Sequence, residues 1–242
     1  MNGREFKDAI FEQFSRVAAA FSNPRRMEIV DLLLQGDRTV ESIAQATGML
    51  VANTSQHLQI LRSAGLLTSR REGLYVMYRI ADNSVATAYR DLRSLAEARI
   101  GEVRHLAEAF FSEVDGAEPI DLHELLRRSS HGDIVMVDVR PRLEFEAGHL
   151  SGAISIPLEE LSERTRELDP RTPVVAYCRG PYCVLAAQAV AQLRATGLQA
   201  ERLAAGPPDW YAAGIPVIVE AGATEPGYSR STKQSSFLET GP

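Results

Sequence analysis

Tyr177-Cys178-Arg179-Gly180-Pro181-Tyr182-Cys183 follows an apolar run, Pro173-Val174-Val175-Ala176, and precedes Val184-Leu185-Ala186-Ala187-Gln188-Ala189-Val190. The run before it has the length and continuous apolar character of a strand buried on both faces, as in a parallel sheet. The segment after it reads as a helix. A cysteine therefore falls at the carboxyl end of a strand, in a tight loop that ends at a helix start, where open α/β sheets place their sites. Loop amides turned inward and the positive end of the helix both favour a thiolate, the nucleophilic form of the side chain. Cys178 and Cys183 are the chain's two cysteines. A buried apolar thiol and a structural disulfide are the plain alternatives. Four residues separate the pair, where a thioredoxin-type motif has two.

Working outward, residues 134–140 form a second continuous apolar run ending in Asp138-Val139-Arg140, and residues 199–203 suit a further strand. Helical segments are expected near 122–126, 142–147, 158–166 and 184–193. Strands alternating with helices imply a parallel α/β domain over residues 118–220. Residues 221–242 are rich in Ser, Thr and Gly and read as a disordered tail.

The first half is built differently. Apolar residues at 6, 10, 14, 17 and 21 have helical spacing, and Asn23-Pro24 restarts the chain as a cap followed by a first-turn proline. Helices are expected over 39–47, capped by Thr39 and ended by Gly48, and over 51–63. Residues 67–71 and 74–80 flank Glu72-Gly73 as a hairpin. A long Ala-rich helix is expected over 85–111. Two short helices joined by a turn and followed by a hairpin describe a winged helix-turn-helix. Asn53, Thr54, Ser55, Gln56, His57 and Gln59 make a polar helix start able to reach base edges. Arg62, Arg70 and Arg71 can hold phosphates.

The charge differs between the halves. Residues 1–112 carry 14 Lys and Arg against 13 Asp and Glu, whereas residues 113–242 carry 12 against 19. Two halves of different charge suggest two tasks. No run approaches a membrane span, and residues 1–10 are mixed and charged rather than an export signal. The expectation is a cytoplasmic protein with no membrane partner.

Three blocks carry a resemblance. Phe21-Ser22-Asn23-Pro24-Arg25-Arg26-Met27-Glu28, Ser55-Gln56-His57-Leu58-Gln59-Ile60-Leu61-Arg62 and Arg70-Arg71-Glu72-Gly73-Leu74-Tyr75 resemble, in order and spacing, an ArsR-type transcriptional repressor domain, taken here as residues 1–112. The resemblance implies a homodimer built on the first and last helices, with Phe6, Phe14 and the apolar face of residues 85–111, reading a near-palindromic double-stranded DNA operator. Many such domains sense soft metals through cysteines before the recognition helix. Thr39-Val40-Glu41-Ser42-Ile43 has neither Cys nor His there, so no metal is expected in this domain and the signal must come from elsewhere.

Val137-Asp138-Val139-Arg140, Gly148-His149-Leu150-Ser151-Gly152-Ala153, Tyr177-Cys178-Arg179-Gly180 and the segment from Gly206 to Val217 resemble a rhodanese, or sulfurtransferase-like, domain. The resemblance implies Cys178 as the persulfide-forming residue. Asp138 and Arg140 are read as a framework pair, His149 as fixing a turn, and Trp210 as core. Ala205 stands where a second glycine beside Gly206 is common. Phosphatase relatives place an arginine six residues after the cysteine; here that residue is Val184, which points to sulfur transfer. Arg179, Gly180, Pro181 and Tyr182 would form the substrate loop, and Arg179 could attract an anionic donor.

The expectation is a two-domain chain: a mainly α winged helix-turn-helix, then an α/β rhodanese-like parallel sheet. It would be a repressor whose second domain handles thiosulfate, polysulfide or persulfide, with no cofactor. Cys183 could attack a Cys178 persulfide to give a disulfide or polysulfide bridge. Two other readings stay open: a sulfurtransferase tethered by its winged helix, and a metalloid-responsive repressor using Cys178 and Cys183.

Overall fold

The computed structural model describes residues 1–223, 226 and 227; most of the segment read as a disordered tail lies outside them. The chain forms two compact units, one of Met1–Tyr89 and one beginning at Arg90.

The first unit opens with α1 (Gly3–Phe21), whose Asn2 cap and Glu5 form a reciprocal capping box. α2 (Pro24–Leu33) is capped by Asn23, with Pro24 in its first turn. A short strand β1 (Arg38–Thr39) leads to α3 (Val40–Thr47), capped by the Thr39 hydroxyl and ended by Gly48 in the left-handed region, φ 66°. α4 (Val51–Ser63) follows and presents Thr54, Leu58 and Leu61 inward. The hairpin is β2 (Leu67–Glu72) paired antiparallel with β3 (Tyr75–Ile80), and β1 adds on the far side of β3. Leu58, Leu61, Ile29, Ile43 and Ile80 are fully buried. Each contributes about 1.5–3 kcal/mol by leaving water, enough together to fix α2, α3 and α4 on the hairpin.

α5 (Asn83–Arg99) begins in this unit, where Val85 and Ala86 are buried and the Tyr89 hydroxyl donates to Asp31 at 2.9 Å. It continues past Arg90 into the second unit. The single helix expected over 85–111 is in fact two. Ile100 adopts extended angles, φ −112° and ψ 98°, and α6 (Gly101–Val114) starts after it. Gly101 is a poor helix interior residue, at a cost of about 1 kcal/mol, and sits more cheaply at a first helical position.

The second unit is built on a four-stranded parallel sheet, in which residues 154–155, 135–138, 174–177 and 200–202 lie side by side in that order. Its elements are α7 (Leu122–Ser130), β4 (Val135–Asp138), α8 (Arg142–Ala147), β5 (His149–Leu150), β6 (Ile154–Ser155), α9 (Leu161–Arg164), β7 (Val174–Tyr177), α10 (Val184–Ala195), β8 (Ala200–Arg202), α11 (Pro207–Ala212) and β9 (Val217–Ile218). β7 is buried along its whole length, and apolar clusters cover both faces of the sheet. That burial accounts for the continuous apolar run seen in the sequence. The segment expected as one helix over 158–166 is a short α9 between two 3-10 turns.

Past α6, the Asp115 side chain is buried. Arg202 of β8 donates to its carboxylate at 2.8 Å and stacks 4.1 Å from the Phe111 ring. The carboxyl end of α6 is thus fastened to the sheet. No described helix is long and apolar enough to cross a membrane.

Candidate functional site

β7 delivers Cys178 at its carboxyl end, 1% exposed and packed among the side chains of one sheet face. The loop then turns back through a Cys183 N–H to Gly180 carbonyl bond of 3.1 Å. Cys183 has extended angles at the start of α10 and is half-buried. The Cys178 thiol lies 3.4 Å from the Cys183 carbonyl oxygen, to which it donates.

The two thiols shift in opposite directions. Cys183 is lowered to about 7, first by the Cys178 thiol and then, against its own burial, by the Arg179 and Leu185 amides and the Arg179 charge. Cys178 is pushed well up by burial and by the neighbouring Cys183, with the Gly180 and Ala186 amides pulling the other way. This differs from the expectation that the loop amides hold Cys178 itself as the thiolate. Its sulfur ends a strand inside the sheet, and desolvation of a charge there outweighs two amides. Cys183 therefore loses its proton before Cys178, and the charge that forms lies on the more exposed sulfur. Cys183 can serve as the base that frees Cys178.

Arg179 is neither solvated nor an open anion site. Its guanidinium grips Glu144 of α8 through bonds of 2.7 and 2.9 Å, and Glu144 is 1% exposed. Pro181 and Tyr182 form the outer part of the loop, and Tyr182 donates to Glu97 of α5 at 2.9 Å. Opposite the loop, Gly206 stands so close that a Cβ there would lie 1.9 Å from the Arg179 carbonyl oxygen. Only glycine permits that approach. The Gly206 amide donates to Asp209, the third residue of α11, and Asp209 accepts from Arg93 of α5 at 2.6 Å.

The framework residues lie where the sequence put them. Asp138 and Arg140 are fully buried and bonded at 2.6 Å, and Arg140 also donates to the Gly148 carbonyl. His149 bonds the Phe145 carbonyl and stacks on its ring, and Trp210 is completely buried. Glu144, Glu97, Arg93 and Asp209 were not singled out from the sequence. Only Asp209 left a local sign, as the third residue after Gly206, with two prolines between them to start the helix.

In the first unit, Asn53, Gln56, Gln59 and Arg62 are exposed along α4, while Ser55 and His57 are half-covered. Thr54 is fully buried and donates its hydroxyl to the Leu50 carbonyl, so it holds the helix start instead of facing outward. Arg62 reaches Ser69 of β2 at 3.3 Å. Arg71 is exposed on the wing, bonded to the Gly73 carbonyl. Arg70 points the other way, to the buried Asp37 and to Glu72. Among the described residues no cluster of three or more His, Cys, Asp or Glu could hold a metal ion.

The model of bacterial regulatory proteins of the arsR family matches residues 23–69, and that of rhodanese-like domains matches residues 121–213. The HTH-type transcriptional regulator Rv0324 of Mycobacterium tuberculosis is 44% identical over 211 residues, which are 87% of this chain and 92% of that one. The chain belongs to the ArsR family of transcriptional regulators. It is a DNA-binding regulator with a rhodanese domain at its C-terminal side. The transcriptional repressor SmtB of the same organism is 39% identical over 83 residues, 34% of this chain and 58% of that one. Two solved structures match one domain each. The homodimeric winged helix-turn-helix domain of Mb0332 from Mycobacterium bovis is 43% identical, covering 41% of this chain and 91% of its own, with a TM-score of 0.39. A rhodanese-related protein from Thermoplasma volcanium is 26% identical, covering 43% and 100%, with a TM-score of 0.39.

Proposed function

We propose that this ArsR-family regulator is a repressor that holds its operator as a homodimer and releases it when Cys178 takes up reactive sulfur. The observation that carries the reading is the thiol pair of the 177–183 loop: Cys178 is buried at the end of β7, and its thiol reaches the Cys183 carbonyl at 3.4 Å where α10 begins. Cys183 accepts the Cys178 proton. The Cys178 thiolate attacks the outer sulfur of a persulfide, RSSH; a Cys178–sulfur bond forms, the donor S–S bond breaks, and RSH leaves with the proton. The sulfur changes partners and no external oxidant is needed. Cys183 thiolate can then attack Cys178 Sγ, forming a disulfide and expelling HS⁻. A neutral or monoanionic donor, persulfide or polysulfide, suits a loop whose arginine is already matched by Glu144. Thiosulfate, a dianion, finds less attraction there.

DNA contact falls to Asn53, Gln56, Gln59, Arg62 and Arg71, the exposed members of the polar helix start and wing. Phe6, Phe11, Phe14 and Val17 leave an exposed apolar face on α1, which suits burial against a second copy. The test uses a duplex selected by the protein from a random pool. Polysulfide should add 32 Da to the peptide containing Cys178 and weaken DNA binding in the same titration. Labelling without DNA release would favour a tethered sulfurtransferase; release by arsenite but not polysulfide would favour a metalloid sensor.

A further inference from the structure

The loop that holds both thiols is fixed from outside by one face of α5. Tyr182 donates to Glu97 at 2.9 Å; Glu97 lies 3.5 Å from Arg93; Arg93 donates to Asp209 at 2.6 Å; Asp209 accepts from the Gly206 amide, and Gly206 abuts the Arg179 carbonyl. A Cβ on Gly180 would also come within 3.8 Å of the Arg93 guanidinium. The chain of contacts leaves the loop at Tyr182 and returns to it at Arg179, so both ends of the loop are registered against two residues of one helix. The Arg93 and Asp209 side chains are 16% and 19% exposed, which limits the freedom of either to swing away.

We propose that Arg93 and Glu97 couple the outer side of the thiol loop to α5, and that a change at Cys178 is passed to α5 through their contacts with Tyr182 and Asp209. The inference rests on the sulfur-sensing reading above. Added sulfur on Cys178, or a bond to Cys183, changes the path of residues 178–183. Tyr182 sits beside Cys183 and cannot keep its place on Glu97 through such a change. Arg93 and Glu97 are the next two positions at helical four-residue spacing after Tyr89, the residue by which α5 is bonded to Asp31 of α2. A helix backbone transmits a shift or rotation along this stripe because its hydrogen-bonded turns deform little. Sequence reading could not find this device. Glu97 and Arg93 look like an ordinary solvated helix pair, and their partners lie far along the chain.

The test uses the full-length chain with polysulfide as donor and the selected duplex as DNA. The measured quantity is the ratio of DNA dissociation constants with and without donor, beside the extent of Cys178 labelling. Coupling of the usual size makes this ratio about tenfold in the parent. Glu97→Ala should label as the parent does, yet bring the ratio below about threefold; a Glu97→Gln variant, which still accepts from Tyr182, should recover most of it. A Glu97→Ala protein that keeps the parent ratio overturns the inference and leaves the sensing reading intact. A parent that labels but shows no ratio overturns both. A circular-dichroism melt of each variant shows whether the fold is kept. Should Glu97→Ala unfold, Arg93→Lys provides the same comparison, since it keeps charge but loses the forked contact to Asp209 and Glu97.

Discussion

Gly206→Ala offers a sharp perturbation of the reactive loop from outside it. Gly206 has φ −124° and ψ −177°, angles any residue adopts, so the substitution carries no backbone strain of its own. The cost is purely steric. The added Cβ would lie 1.9 Å from the Arg179 carbonyl oxygen, 2.4 Å from its carbon and 2.8 Å from the Gly180 nitrogen. All three are backbone atoms, and real Cβ contacts hardly ever fall under 3.0 Å. Loop and α11 start must therefore separate by about 1 Å. Overpacking of this kind costs about 1–3 kcal/mol, which lowers the melting temperature of the rhodanese unit by about 3–9 °C. A displacement near 1 Å at a reacting group costs roughly a hundredfold in rate. Sulfur uptake by Cys178, followed by quenched mass spectrometry, should slow by about that factor, while DNA binding by the reduced protein stays within twofold. Ala205→Gly, one residue earlier, is the control and should label at the parent rate. Labelling of Gly206→Ala within threefold of the parent, with an unchanged melt, would refute the claim that this close approach sets the loop geometry.

The wing arginines should separate in behaviour. Arg71→Ala should weaken DNA binding and flatten the log–log salt slope by about 0.9, one phosphate contact; Arg70→Ala should chiefly lower the melting temperature, because it strips a partner from buried Asp37. Calorimetry and salt titration of the two variants distinguish the roles. The thiols give a pH signature. A group lowered to about 7 is half thiolate at that pH and loses its charge below it, so iodoacetamide should modify Cys183 with a rate that rises through a midpoint near 7 and fades in acid. Cys178→Ala removes the thiol that lowers Cys183 most and should move the midpoint upward; an unmoved midpoint would mean the sulfurs do not interact.

The order of elements was legible because burial leaves a direct imprint. Residues 174–177 and 135–137 are apolar without alternation since both faces of the sheet are covered, and Asn23, Thr39 and Gly48 mark helix ends through local bonds that short sequence windows contain. The strand–loop–helix order around Cys178 was legible for the same reason: strand, turn and helix start lie within a dozen residues. What stayed hidden depends on partners distant in the chain. Glu144 and Arg179 are 35 residues apart, Arg70 and Asp37 33, Arg202 and Asp115 87. Charge at such positions reads as solvated surface until the fold brings the partner. The break at Ile100 was hidden differently. One glycine costs a helix about 1 kcal/mol, which an Ala-rich pattern on both sides masks. The raised titration of Cys178 follows from a burial that no motif states.

The most direct test of sulfur sensing places both cysteines and DNA in one experiment. Full-length parent, Cys178→Ser and Cys183→Ser are titrated with polysulfide while bound to the selected duplex, and each point is split between fluorescence anisotropy and mass spectrometry of the peptide spanning both thiols. In the parent, the 32 Da adduct on Cys178, or the bridge that replaces it, should rise in step with DNA release. Cys183→Ser should gain the adduct without the bridge, and Cys178→Ser should show neither adduct nor release. Full release by Cys178→Ser, or sulfur found on Cys183 alone in the parent, would contradict the account.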